Sequence, residues 1–248
     1  MAESATFAAR PNRILIVAKA HYMKLISVIF SIIFLTFVLS GVSCSAQKAP
    51  KEFEGMIVYE VKSVSDDAKL LNRLNHVSGN KMIIYYKDGN YKRENYLNEK
   101  LLITTLYLAE TNMVYHCFAQ ADTIIYNNAD LMNYSVDSVY SPAGQEPILG
   151  YNCNYVYIKL SNDSIPWMNY EIEAWGSKDL FIAENRFENF KDGAKNLVVE
   201  HLKSLSLKTV MKNSRSTITL TATEIKEKKL KSRIFTLDKT LPMVEYRP

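Results

Sequence analysis

From Phe53 onward, apolar and polar positions alternate with a period close to two. Phe53, Gly55, Ile57, Tyr59 and Val61 fall on one face of an extended segment, with Glu54, Glu60 and Lys62 on the other beside Met56 and Val58. Such a segment is a strand buried on one face and partly covered on the other. The pattern recurs along the chain. Residues 81–88 and 91–97 flank Asp88-Gly89-Asn90, a hairpin turn signal. The runs 101–108 and 113–118 are separated by Glu110-Thr111-Asn112, and 123–126 follows Ala121-Asp122. Runs 148–160 and 167–175 flank Ser161-Asn162-Asp163-Ser164, and 197–211 and 217–225 flank Lys212-Asn213-Ser214-Arg215. In the last of these, Ile218, Leu220 and Ala222 alternate with four threonines, the cleanest half-buried strand in the chain.

Two stretches depart from this period. Ser65-Asp66-Asp67 precede Leu70, Leu71, Leu74 and Val77, which share one helical face, and Gly79 stands where a helix should stop. A second short helix is expected around 182–190, where Phe187 and Phe190 are three apart. Strands joined by short turns, with one or two helices inserted, predict a mainly β (α+β) fold on an antiparallel sheet. Strands apolar on both faces, at Met56–Val58 and 101–108, suit a curved sheet covered by helices on its concave side. Incompletely filled space there would be a lipophilic cavity.

Ahead of this body, residues 25–41 read LISVIFSIIFLTFVLSG, with Met23-Lys24 before them and Val42-Ser43-Cys44-Ser45-Ala46 after. A short basic start, an apolar run and a small-residue exit form the secretory signal pattern. Met23 is the natural initiator, so 1–46 is read as leader and signal peptide, 47–52 as a linker and 53–248 as a single β-rich domain. A retained membrane anchor competes, since the apolar run approaches spanning length; the small-residue exit favours cleavage. Two processing routes stay open: cleavage after Ala46, or lipidation of Cys44 as the first residue of a lipoprotein.

Composition narrows the picture without naming an activity. The chain has 248 residues, 48% hydrophobic and 23% charged, with 8 Gly and 7 Pro. That supports a sizeable core and excludes collagen-like, low-complexity and extensively disordered classes. The net charge of +4 is concentrated at the start: residues 1–46 hold four basic side chains against one acidic. The remainder is nearly neutral, so there is no electrostatic case for nucleic acid.

The sequence carries no G-x-S-x-G, no phosphate-binding glycine loop, no H-E-x-x-H and no C-x-x-C. His76, His116 and His201 are far apart, and His116 and Cys117 point to opposite faces of one strand, so no metal site or cofactor is expected. Glu171 and Glu173 share a strand face with Trp167, Asn169 and Trp175. They suit a solvated face better than an acid–base pair or a sugar site. Cys117 and Cys153 are a possible disulfide in an exported chain; two separately packed thiols are the alternative. Fifteen of the sixteen tyrosines follow the leader, a usage that suits pleated surfaces and half-wet grooves.

Three groups of segments carry a resemblance. Phe53-Glu54-Gly55-Met56-Ile57 is followed by Lys81-Met82-Ile83-Ile84-Tyr85-Tyr86 and Tyr91-Lys92-Arg93. Ile148-Leu149-Gly150-Tyr151-Asn152-Cys153 leads to Glu173-Ala174-Trp175-Gly176-Ser177-Lys178-Asp179-Leu180. Leu205-Ser206-Leu207-Lys208-Thr209 leads through Thr223-Glu224-Ile225 to Ser232-Arg233-Ile234-Phe235-Thr236-Leu237. This order resembles uncharacterised exported proteins of the Gram-negative envelope that carry a domain of unknown function, and through them the LolA/LolB-like periplasmic lipoprotein carriers. The resemblance implies a curved antiparallel half-barrel closed by helices over a hydrophobic cavity. It implies a non-enzymatic periplasmic or outer-membrane-associated protein that binds a lipid or the acyl chain of a lipoprotein. An interaction module using exposed aromatics, Trp167 and Trp175, for a protein or glycan is the alternative. No individual ligand-binding residue is assigned.

Overall fold

The alternation that begins at Phe53 becomes β1 (Gly55–Val64), which lies in the middle of the sheet. It pairs on one side with β12 (Thr217–Glu227) and on the other with β2 (Lys81–Lys87). At Gly55 the β1 and β12 backbones are so close that a Cβ would sit 2.2 Å from the Lys226 carbonyl oxygen. Only glycine fits there. The computed structural model describes residues 50–132, 134–162, 169–238 and 240–246. The expected signal peptide, Cys44 and Trp167 lie outside the described residues.

Beyond β2 come β3 (Asn90–Leu97), β4 (Lys100–Leu108), β5 (Met113–Phe118), β6 (Ile124–Asn128) and β13 (Met243–Glu245). Beyond β12 come β11 (Lys208–Lys212), β10 (Tyr170–Gly176), β9 (Tyr151–Ser161) and β7 (Ser135–Tyr140), with β8 (Glu146–Ile148) also on β9. All pairings are antiparallel except β13 with β6. The sheet is an open, curved half-barrel, as the sequence predicts. Register shifts at Val58/Tyr59, Asn95/Tyr96 and Val136/Ser138 supply bends, because an extra residue on one strand raises the local twist.

The first helix, α1 (Ala68–Ser78), forms where its signals placed it. Asp67 Oδ1 accepts from the Lys69 and Leu70 N–H groups at 2.9 and 3.1 Å, and Gly79 (φ 71°) ends it. These contacts hold the Asp67 carboxyl below its usual range, the Leu70 N–H first among them. The Asp88-Gly89 turn has both residues left-handed (φ 50° and 84°), the geometry that matches strand twist in a two-residue hairpin.

Three expectations need correction. The second helix is not at 182–190, which holds a single 3-10 turn, Glu184–Arg186; α2 is Lys195–Leu202. Its apolar residues Val198, Val199 and Leu202 continue into Leu205 and Leu207, so the block read as strand throughout. The run 148–160 is broken by Leu149 and Gly150, both left-handed, into a β8–β9 hairpin. The second face of β4 is covered on the convex side, not by α1 or α2: Leu106 packs with Leu230 and with Phe235, which ends a 3-10 turn, Ser232–Phe235, in the C-terminal segment. Glu54 fastens that segment, accepting from the Leu230 N–H at 2.6 Å and pairing with Lys87 at 3.1 Å.

One end of the concave face is filled by aromatic rings. Phe187 lies 5.8 Å from Tyr86, Tyr107 and Phe190 and 6.5 Å from Tyr91. Glu52 locks this end: it accepts from the Tyr86 hydroxyl at 2.6 Å and receives Arg186 through Nε and Nη2. Truncating the fully buried Phe187 to alanine is expected to cost about 3–5 kcal/mol of stability. A urea titration reads this; a loss below about 1 kcal/mol would show that the ring cluster is not a structural core.

Candidate functional site

Where the rings end, the concave face is not filled. A cavity of about 620 Å³ lies between the sheet and α2. Its walls come from inward positions of strands on both sides of β1: Tyr59, Met82 and Ile84, then Leu220, Thr209, Met211 and Ile172. Val198 of α2 and Val77 of α1 complete the apolar lining. No residue of α1 is buried, so this helix lies over the sheet without being packed into it.

One wall is polar, and it follows from strand register. Ile57, Ile84, Arg93, Thr105, His116 and Ile125 are successive cross-strand partners on β1 to β6, so they form one row across the face. The middle of that row is charged. Arg93 Nη2 donates to Thr105 Oγ1 at 3.2 Å, and Thr105 Oγ1 is 3.2 Å from His116 Nδ1. Burial, then the Arg93 guanidinium, push His116 below its ordinary value. It is neutral at pH 7. The Arg93 Nε is buried without a hydrogen-bond partner among the described residues.

Lys195 approaches this row from the first turn of α2, its Nζ 5.4 Å from the Tyr91 ring centroid. The segment before it fixes the approach. Lys191 and Asp192 donate their N–H groups to Ala129 O, and Tyr134 donates its hydroxyl to Lys191 O. Gly193 and Ala194 are both left-handed (φ 60° and 54°); for Ala194 that conformation costs roughly 1–2 kcal/mol. Burial, then Arg93, pull the Lys195 ammonium down to about 8, with Asp192 opposing. Asp192 stands exposed at the rim, and no carboxylate ion-pairs with Lys195 among the described residues.

A second, more open hollow of about 400 Å³ shares His116 and Asp192 with the cavity. Phe118, Leu131 and Tyr246 edge it and are 40%, 38% and 53% exposed, an apolar mouth beside the polar row.

Other sequence-predicted residues fall elsewhere. Glu173 and Trp175 are on the opposite face of β10 from Ile172. Glu173 accepts from the Tyr155 hydroxyl at 3.1 Å, and half-buried Trp175 is covered by Tyr155 and by Lys208 Nζ, 4.3 Å from its ring. Cys117 on β5 and Cys153 on β9 are free thiols, with seven strands between them in sheet order, so the possible disulfide is not formed. Burial pushes both thiols up, which keeps them protonated and weakly nucleophilic. His76 and His201 bond to carbonyls one turn back in their own helices, away from His116. No cluster of three metal-ligating side chains occurs among the described residues.

A family model described as a domain of unknown function, DUF4412, matches residues 98–239, more than half of the chain. The chain belongs to the DUF4412 family. The matched segment includes Thr105, His116, Asp192, Lys195 and Thr209, with Arg93 just ahead of it. A search of curated proteins finds no match. Among solved structures, the chain is similar to the lipoprotein LppX of Mycobacterium tuberculosis, at 9% identity and a TM-score of 0.34, over 76% of this chain and 93% of that one. It is also similar to a LolA superfamily protein from Nitrosomonas europaea, at 9% identity and a TM-score of 0.36, over 75% and 91%. The family description agrees with the domain of unknown function that the sequence resembles.

Lys195 makes the site testable through stability. In the folded protein its ammonium is destabilised, and in the unfolded chain it titrates near its ordinary value of 10.5. Below about pH 8 both states are protonated and the folded state carries the whole penalty. Between about 8 and 10.5 the unfolded chain binds more protons, so stability rises with pH. Lys195→Met is therefore expected to stabilise the empty protein at pH 7 by roughly 1–3 kcal/mol. The gain should vanish by pH 10.5 in denaturation curves; a loss of stability at pH 7 would contradict this.

Proposed function

We propose that this DUF4412 protein is a non-enzymatic protein of the Gram-negative envelope that holds a hydrophobic ligand, a lipid or the acyl chain of a lipoprotein, in the concave cavity. The observation that carries this reading is the unfilled, largely apolar space of about 620 Å³ between the sheet and α2. Its size lies within the range of about 300–1,000 Å³ typical of small-molecule sites. The hollow edged by Phe118, Leu131 and Tyr246 offers apolar surface beside the cavity and meets it at His116 and Asp192. Export rests on the apolar run 25–41 with its basic start and small-residue exit. Lipidation at Cys44 would tether the protein to a membrane; cleavage after Ala46 would release it into the periplasm.

The polar row supports holding over chemistry. Thr105 is buried and its oxygen is engaged by Arg93, and the hydrogen bond that acts on His116 comes from Asn127, with the Asp192 carboxylate acting only through its charge. The alternative, docking of a protein or glycan on surface aromatics, rests on exposed Tyr140 stacked on Tyr157 at 4.7 Å. Trp175 adds nothing to it, being covered.

An environment-sensitive fatty probe should brighten on the mature protein. Thr209→Trp, which places a large ring in the cavity, should cut that binding at least tenfold while the fold persists by circular dichroism. Equal binding by both proteins, or none by the folded parent, would overturn the reading.

A further inference from the structure

The cavity has a cationic end whose two cations form no ion pair among the described residues. At pH 7 two cationic donors, Arg93 and Lys195, face one exposed carboxylate, Asp192, and the neutral His116 adds no charge to either side. Among the described residues the Arg93 guanidinium meets only hydroxyls, those of Thr105 and Tyr91, and its Nε has no partner. Lys195 rests its ammonium against the Tyr91 ring without a carboxylate. A guanidinium held in place with unused donors is costly to bury, because each unmade hydrogen bond retains its desolvation penalty. That cost is removed when an anion with two or more oxygens arrives, since the guanidinium fork accepts such oxygens in pairs.

The same wall continues without interruption into apolar surface. Ile84 and Ile57 follow Arg93 along the row toward the sheet centre, and Met82, Leu220 and Met211 lie beyond. One end of the site therefore suits charge and the rest suits hydrocarbon. We infer that the ligand is an anionic amphiphile whose oxyanion head, a carboxylate or a phosphate, is held by Arg93 and Lys195 while its acyl chain fills the apolar remainder. This inference rests on the cavity reading above and adds the chemical class of the ligand and the two residues that select it. Thr105 and His116 act as positioning residues: they hold the guanidinium in register and do not themselves carry the anion's charge.

The test is a displacement series on the mature protein at pH 7, with palmitate, palmitoyl lysophosphatidate, hexadecanol and inorganic phosphate against one fluorescent fatty probe. Palmitate or the lysophosphatidate, or both, should bind at least tenfold more tightly than hexadecanol, and whichever is tighter identifies the head group. Arg93→Leu and Lys195→Met should each reduce that preference severalfold and leave hexadecanol binding unchanged. Retained hexadecanol binding also certifies that each variant keeps a folded cavity. Equal affinity for hexadecanol and both anions in the parent would overturn the inference while leaving the cavity reading intact. Failure of every amphiphile would remove both. Inorganic phosphate that displaces the probe as well as the amphiphiles do would make this a site for a free anion and overturn the inference.

Discussion

What fills the concave face decides everything else in this molecule. A curved sheet of this width encloses more space than its own inward side chains occupy, and protein interiors are otherwise packed to crystal-like density. The segment between β10 and α2 resolves the mismatch at one end only. It sends Phe187 and Phe190 among Tyr86, Tyr91 and Tyr107 and is pinned through Arg186 to Glu52. At the other end no described segment fills the space, and the inward positions of β1, β2, β11 and β12 face open volume beneath α2. The division between a filled end and an unfilled end is the division between stability and function.

The unfilled end also departs from what stability alone would choose. An inward arginine with an orphaned Nε and a lysine pulled down to about 8 both weaken the empty protein. Methionine or leucine at either position would fold as well or better, since buried charges without partners are rarely favourable. Ala194, left-handed and fully buried, adds strain at the point from which Lys195 is aimed. Strain and uncompensated charge gathered at one wall of one cavity are the physical marks of a ligand site.

Much of the architecture was legible from alternation and turn chemistry. The inward Ile218, Leu220 and Ala222 of β12, the Asp88-Gly89 turn and the Asp67 cap of α1 were all readable, because each is a local rule obeyed locally. The failures have local causes too. β7 is exposed along nearly its whole length, so it carries no pattern, and α2 hid inside a longer apolar block. The site was harder. β3 reads Asn-Tyr-Lys-Arg-Glu-Asn-Tyr-Leu, charged on both faces, and only the burial of Tyr91 and Asn95 shows that Arg93 shares their inward face. Lys195 and Asp192 reach the cavity through left-handed backbone at Gly193 and Ala194, which no hydrophobic period encodes.

Occupation of the cavity by a lipidic ligand is what we propose for this protein. Mass spectrometry of an organic extract of the mature protein, purified from its own envelope without detergent, tests it most directly. An occupied cavity should yield about one acyl-bearing molecule per chain. A folded protein that yields no lipid would contradict it.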